Sequence, residues 1–109
     1  MIARTWRARA AADRRQLYPR HFADVVLPKL RALPGFLGAY LLQREVGQEV
    51  EFVVQTLWAS EEAIAGFAGL RPEVAVVDPE AEAALVRYDA TVSHYTVLVG
   101  PDERPTPAA

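Results

Sequence analysis

The feature that most constrains the fold is a strand-to-helix junction in the middle of the chain. Residues 52–58 are Phe-Val-Val-Gln-Thr-Leu-Trp, a composition typical of a β-strand. Ser60 follows two positions later, where its hydroxyl can cap a helix, and two glutamates then place negative charge at the positive end of the helix dipole. Ile64 and Phe67 fall on one face of this helix. The block therefore predicts a strand, a tight junction and a short helix packed onto a sheet.

Length and composition indicate one folded domain. The chain has 109 residues, of which 51% are hydrophobic, which is enough to bury a core and excludes global disorder. The net charge is -2, and the basic residues are not interleaved with aromatic ones, so nucleic acid is not an expected partner. The arginines near the N-terminus are interpreted as solvated side chains, namely Arg4, Arg7, Arg9, Arg14 and Arg15.

The absence of cysteine and of long apolar segments excludes several kinds of site and narrows the expected cellular location. There is no cysteine, which excludes disulfides, thiolate nucleophiles and zinc–thiolate sites and is compatible with a reducing compartment. The first nine residues contain no signal-peptide core, and no run approaches the roughly 20 apolar residues of a membrane span. A cytoplasmic protein without a membrane partner is the expectation.

A strand and a helix are predicted before the junction. Residues 2–10 alternate, with Arg4 on the same face as Ile2 and Trp6, which is the pattern of a first strand. Asp13 and Gln16 have the spacing of a capping box that opens a helix. We expect Pro28 to kink or split this helix.

The other elements complete a recognisable order. Further strands are predicted over residues 37–45, 49–58 and 88–99, and a further helical stretch begins at Asp78-Pro79. Residues 100–109 contain three prolines and are predicted to form a flexible tail after a domain of residues 1–99. The order strand-helix-strand-strand-helix-strand predicts an α+β fold of the ferredoxin-like split type, with an antiparallel sheet and helices on one face.

The strands are apolar on both faces, which predicts a partner. Tyr40 and Leu42 alternate with Ala39 and Leu41, whereas a sheet covered on one side usually alternates apolar with polar residues. Two helices can cover only one face of the sheet. A second copy of the same sheet is the economical cover for the other face, so we expect a homodimer.

His94 is the best candidate catalytic residue. It lies beside Tyr95 in an apolar strand, and adjacent strand residues face opposite sides, so only one of the two can point into a given cavity. His94 could act as a base or hydrogen-bond donor toward a phenol or enol. The alternative is a structural histidine at a dimer interface or beside the carboxylate of Asp89 or Glu51.

The second histidine, His21, is expected at the surface or boundary of the first helix, although it could point into a helix–sheet cavity. A metal site formed by both histidines with Asp24 or Asp89 has no supporting ligand spacing, so no metal is expected.

Several further side chains could contact a flat substrate. Trp58, Tyr40, Phe67 and Tyr95 could stack on an aromatic ring, although core packing is the alternative for each one. Arg7 could bind a carboxylate, as could Arg44. The sequence contains no glycine-rich nucleotide-binding motif and no G-x-S-x-G elbow, which argues against nucleotide cofactors and serine hydrolase chemistry.

Taken together, five segments resemble the antibiotic biosynthesis monooxygenase (ABM) domain family of dimeric α+β barrels. They are residues 1–7, 34–40, 57–63 (with its Trp-x-Ser-x-Glu segment), 67–69 and 92–95, and the resemblance covers residues 1–99. Some members of this family oxidise polycyclic aromatic phenols to quinones with dioxygen and no metal or flavin. Others act on quinols, and some degrade haem.

The haem-degrading members use an asparagine, a tryptophan and a histidine at positions that correspond here to Arg7, Phe67 and Val77. Haem degradation is therefore not expected. The cofactor-free monooxygenases of the family rely on tryptophan, asparagine and tyrosine residues in the pocket. This chain contains no asparagine and so departs from that set.

The resemblance implies a homodimeric monooxygenase that needs no cofactor and oxidises an aromatic or polyketide-like phenol. His94 would deprotonate the substrate, and Trp58, Tyr40 and Phe67 would form an apolar wall around it. Two alternatives use the same scaffold: a cyclase or isomerase that needs no dioxygen, and a non-catalytic ligand-binding dimer in which His94 and Tyr95 serve the interface.

Overall fold

A computed structural model describes residues 1–101, and within them five strands form one antiparallel sheet. Their bounds are β1 (Ile2–Ala11), β2 (Phe36–Val46), β3 (Glu49–Trp58), β4 (Arg87–Tyr88) and β5 (Ser93–Thr96). The strand β1 is central, with β3 and then β2 on one side and both β4 and β5 on the other. The predicted ferredoxin-like order is confirmed. The predicted flexible tail lies, except for its first two residues, outside the described part of the chain.

The helices are short and lie in the connections between β1 and β2 and between β3 and β4. They are α1 (Leu17–His21), α2 (Leu27–Arg31), α3 (Glu61–Ala68) and α4 (Pro79–Ala84), with a π-helical turn, Phe22–Val26, between α1 and α2. No helix in residues 1–101 combines the length and apolar character needed to cross a membrane.

The strand-to-helix junction forms as predicted. The Ser60 hydroxyl accepts a hydrogen bond from the backbone N–H of Ala63 at 3.2 Å and caps α3. The backbone N–H of Ala59 donates to the Gly35 carbonyl at 2.8 Å, which ties the junction to the turn before β2. These two bonds fix where α3 leaves the sheet and therefore which side chains it presents.

Two local predictions about the first helix have different outcomes. The capping box of Asp13 and Gln16 is wrong: no side chain caps α1, and Gln16 already has helical backbone angles because a 3₁₀ turn, Ala12–Arg14, precedes it. The split at Pro28 is confirmed. This proline lies in the first turn of α2, where its missing N–H is tolerated, directly after the π-helical turn.

The prediction of one continuous last strand is also wrong. β4 ends at Tyr88 and β5 begins at Ser93, because the intervening backbone has other partners. The carbonyl of Asp89 accepts a hydrogen bond from the Trp6 indole N–H at 2.7 Å, and Val92 donates to the carbonyl of Glu73 at 2.9 Å. The interruption therefore joins the last strand to the loop that follows α3.

Helices cover one face of the sheet and enclose the core. Every second residue of β3 from Val50 to Trp58 is buried, as are the residues of β1 that pair with them from Arg4 to Ala10. Tyr18 of α1 packs its ring against Trp6 and Phe52, with centroids 6.0 and 5.5 Å away. Burial and the nearby carboxylate of Asp78 raise the pKa of Tyr18, so its phenol stays protonated.

The opposite face of the sheet is open in a single chain. One half carries exposed apolar side chains, with Tyr40 and Leu42 each 46% and Tyr95 58% exposed. The other half carries ion pairs. Glu51 pairs with Arg44 and Arg9, and Glu49 pairs with Arg9 and Arg87. For brevity we call this surface the open face.

Candidate functional site

The structure places His94 on the helix-covered side of the sheet. It pairs with Arg4 across β5 and β1, so both side chains point to the side that the helices cover. Tyr95 pairs with Ala3 and points to the open face. The two neighbours are therefore separated by the sheet, and only His94 faces the helices.

A cavity of about 200 Å³ adjoins His94. We call it the His94 cavity; its lining residues are Ile2, Glu61, Ile64, Pro72 and His94. Ile2 comes from the start of β1, whereas Glu61 and Ile64 are three residues apart and so lie on the same face of α3. The walls are mainly apolar, and His94 itself remains accessible to solvent at the rim.

The pKa of His94 is lowered. Burial of the imidazole contributes most, and the positive charge of Arg4 acts in the same direction. The carboxylates of Glu61 and Glu73 oppose the shift without reversing it. His94 is therefore neutral at pH 7, the form that can accept a proton from a ligand.

Arg4 is a buried charged residue, and its interpretation from the sequence as a solvated side chain is wrong. It is 6% exposed because it lies on the same face of β1 as the buried Trp6. Its Nη2 donates to the carbonyls of Val74 at 2.9 Å and Pro72 at 3.3 Å, and its guanidinium carbon lies 5.3 Å from the centre of the Phe67 ring. Its location on the face of Ile2 and Trp6 is the sequence signal that could have identified it.

The charge of Arg4 has no acidic partner. Among residues 1–101, no carboxylate lies within ion-pair distance of its guanidinium, and its buried Nε has no hydrogen-bond acceptor. Burial accordingly lowers the pKa of Arg4, although arginine stays protonated in proteins. A positive charge is thus buried beside the His94 cavity.

Trp58 and Phe67 lie behind the cavity and not in its lining. Trp58 is fully buried, and its indole N–H donates to the Thr56 hydroxyl at 2.8 Å. Phe67 stacks on Trp58 with ring centres 5.7 Å apart and lies against Arg4. These rings form a packed layer that supports Arg4.

Other predicted ligand-binding residues lie on the open face. Tyr40 pairs with Gln55 of β3, on the opposite side of the sheet from Trp58 and Phe67. A single wall of Trp58, Tyr40 and Phe67 is therefore wrong, because strand alternation separates these side chains within one chain. Arg7 is exposed on the same open face, as is Tyr95.

His21 is buried, so its predicted surface position is wrong. Its Nε2 lies 2.9 Å from the Asp78 carboxylate, and its Nδ1 is 3.2 Å from the more exposed carboxylate of Glu80 but lacks hydrogen-bond geometry. Burial alone would raise the pKa of Asp78, but hydrogen bonds from Ala81 N–H and His21 outweigh it and hold that pKa below its usual value. His21 thus joins α1 to the start of α4.

The described residues offer no evident metal site. No group of three or more histidine, aspartate or glutamate side chains within residues 1–101 is arranged to hold a metal ion. His21 makes one side-chain hydrogen bond, from Nε2 to the Asp78 carboxylate, and its Nδ1 has no hydrogen-bond partner within the described residues.

Comparison with known proteins gives one family and a consistent fold. The sequence profile described as Antibiotic biosynthesis monooxygenase matches residues 1–71. That span includes β1, β3, α3 and Arg4, and it ends before Pro72 and His94. No curated protein sequence matches the chain significantly.

Two solved structures, each provisionally named an antibiotic biosynthesis monooxygenase, have the same fold. One is from Deinococcus radiodurans, with 18% identity, a TM-score of 0.55, and coverage of 88% of this chain and 91% of that one. The other is from Bacillus cereus, with 19% identity, a TM-score of 0.57, and coverage of 99% and 95%. The profile match spans most of the sequence, and the chain therefore belongs to the antibiotic biosynthesis monooxygenase family.

Proposed function

We propose that this protein is a small-molecule monooxygenase that oxidises an aromatic or polyketide-like phenol with dioxygen and without an added cofactor. Family membership supports the reaction class. The observation that carries the proposal is a neutral, accessible histidine at the rim of an apolar cavity on the helix-covered face. An apolar pocket with one proton acceptor suits a flat substrate that must lose a proton before it reacts.

His94 would begin the reaction by accepting the phenolic proton. The phenolate is a better electron donor than the phenol, and it forms a carbon–oxygen bond with dioxygen at a ring carbon. Loss of the proton on that carbon and cleavage of the oxygen–oxygen bond then give a quinone and one molecule of water. One oxygen atom of dioxygen enters the product and the other leaves as water, so the substrate supplies all four electrons. The apolar walls formed by Ile2, Ile64 and Pro72 would exclude bulk water from the intermediate.

Oxygen uptake with a panel of naphthols and anthrols tests the proposal. We expect His94→Ala to lower kcat/KM by about 10²-fold or more, the usual contribution of a general base. The wild-type rate should rise with pH through an apparent pKa below the ordinary histidine value of about 6.5. Ser93→Ala is the matched control, because Ser93 is on the same strand but faces away from the cavity.

Two results would contradict this proposal. The first is an unchanged rate in His94→Ala. The second is a panel in which no phenol is oxidised by the wild-type protein. Conversion of a substrate without oxygen uptake would instead indicate acid–base chemistry of the cyclase or isomerase kind on the same scaffold.

We also propose that two copies pack open face to open face as a homodimer. The support is the exposed apolar half formed by Tyr40, Leu42 and Tyr95, since such a patch on a sheet is costly to leave in water. Leu42→Glu should shift the sedimentation of the protein toward the monomer. Leu70→Glu is the matched control because Leu70 is fully exposed in a loop away from the strands. A wild-type protein that sediments as a monomer at micromolar concentration would overturn the proposal.

A further inference from the structure

Arg4 is a buried cation whose arrangement is incomplete. Its partners are two backbone carbonyls and the face of the Phe67 ring, and its Nε is sealed from solvent without an acceptor. Buried charges in proteins are usually paired with an opposite charge, and buried N–H groups nearly always have an acceptor. An unpaired guanidinium with a free donor is therefore what a site built for an anion would contain.

Arg4 is placed to act on the His94 cavity. It is paired with His94 across the two strands, and both side chains face the same side. The carbonyl of Pro72, which accepts from Arg4, belongs to a residue of the cavity lining. The guanidinium is thus joined to the cavity wall by one hydrogen bond, the longer of its two.

The nearby carboxylates do not cancel this charge. Glu61 lies in the cavity lining and Glu73 acts on His94 from the following loop, and both residues are exposed to water. Water and salt screen exposed charges, whereas a charge in the protein interior is screened much less. His94 is neutral and adds no charge of its own. The Arg4 side of the cavity is therefore favourable to a negative oxygen.

We propose that Arg4 is the oxyanion-binding residue of the His94 cavity, and that the ligand is a flat, largely apolar molecule with one acidic phenol or enol group. The ligand's O–H bond breaks, the proton moves to the His94 imidazole, and the oxygen keeps the electron pair. That oxygen replaces the Pro72 carbonyl as an acceptor of the Arg4 guanidinium. The inference rests on the proposed function for its proton acceptor but requires no reaction with dioxygen.

The experiment measures ionisation of a bound phenol in the absence of oxygen. The probe is 4-nitrophenol, whose phenolate is yellow, and 4-nitroanisole is the analogue that cannot ionise. Absorbance is followed against pH with excess wild-type protein and with Arg4→Met and Arg4→Lys. Arg31→Met is the matched control, since it removes one exposed arginine from α2.

We expect the acidity constant of the bound probe to rise about tenfold or more in wild type and Arg31→Met, the effect of an opposite charge within a few ångströms. Arg4→Lys should keep most of this gain, and Arg4→Met should lose it. The affinity for 4-nitroanisole should be the same in all four proteins. Circular dichroism verifies that each variant is folded.

The inference is overturned if wild type leaves the acidity of the bound probe unchanged, if it binds neither probe at millimolar concentration, or if a folded Arg4→Met behaves like wild type. Should Arg4→Met fail to fold, Arg4→Gln takes its place, since it removes the charge but keeps a hydrogen-bond donor, and it should also lose the gain. A protein that ionises the probe but consumes no oxygen with any phenol would retain the anion site and lose the monooxygenase proposal. Oxygen uptake with a phenol, without a change in probe acidity, would retain the monooxygenase proposal and overturn the anion site.

Discussion

A close approach between Gly35 and helix α3 sets the position of one cavity wall, and Gly35→Ala should disturb it. Gly35 has a φ of +82°, and a Cβ atom built there would lie 2.5 Å from the Cβ of Ala63. Real Cβ atoms essentially never come so close, so either the turn or the helix must move. Ala63 precedes Ile64, which lines the His94 cavity. The substitution therefore tests how firmly the turn holds the cavity wall.

The expected cost has two parts. A non-glycine residue in left-handed backbone costs about 1–2 kcal/mol, and the reduced entropy of the unfolded chain returns about 0.4–1 kcal/mol of it. Overpacking adds about 1–3 kcal/mol. Gly47→Ala is the matched control, because Gly47 has a φ of +61° with open space around its Cβ position. We expect a loss of roughly 1 kcal/mol for Gly47→Ala and about 2–4 kcal/mol for Gly35→Ala in the free energy of unfolding.

Urea denaturation of both variants, with Ala63→Gly and the double variant, separates the two parts. Ala63→Gly alone should cost about 1 kcal/mol through lost helix propensity. In the Gly35→Ala background it should recover the overpacking part, giving a coupling of about 1–3 kcal/mol. Equal losses for Gly35→Ala and Gly47→Ala, or additive effects in the double variant, would refute the close-approach explanation.

Two further substitutions test the helix caps. Ser60→Ala removes the cap of α3 and should lower the free energy of unfolding by about 1 kcal/mol in urea, while an unchanged midpoint would contradict the cap. Asp78→Ala removes both the α4 cap and the partner of His21, and should cost about 1–2 kcal/mol at pH 7. Because the pKa of Asp78 is lowered on folding, its stabilisation is complete above the unfolded value of about 3.9 and is lost as pH falls through the folded pKa. Thermal unfolding from pH 7 to 2 should bring the two proteins together at acid pH, and parallel curves would show that the carboxylate is not responsible.

The fold was predictable because its signals are local. The strand bounds of residues 49–58, the Ser60 cap and the start of a helix at Asp78-Pro79 depend on neighbours within a few positions, and the structure confirms them. The interrupted last strand was not predictable in this way. Its break depends on Trp6, which is more than 80 residues away in sequence and captures the Asp89 carbonyl.

The candidate site was predictable only in part. The sequence named His94 as a candidate but left open which side of the sheet it faces, since alternation separates His94 from Tyr95 without assigning either one a side. The pairing of His94 with Arg4 decides it. Arg4 was misjudged because arginine is usually solvated. The position of Arg4 on the same face of β1 as Ile2 and Trp6 predicts its burial more reliably than the general tendency of arginine to be exposed.

The interruption between β4 and β5 also explains why the last strand can contribute to the cavity at all. The pairs Ala8–Tyr88 and Thr5–Ser93 are separated by three residues along β1 but by five residues along the last strand. The last strand therefore carries two extra residues, and an even number leaves the side-chain alternation unchanged, so His94 still faces the helices. The extra length frees backbone groups around Thr91, which pair with the loop at Val74. That loop carries the carbonyls that hold Arg4, so the same irregularity that breaks the strand also positions the hydrogen bond that joins the buried guanidinium to the lining of the His94 cavity.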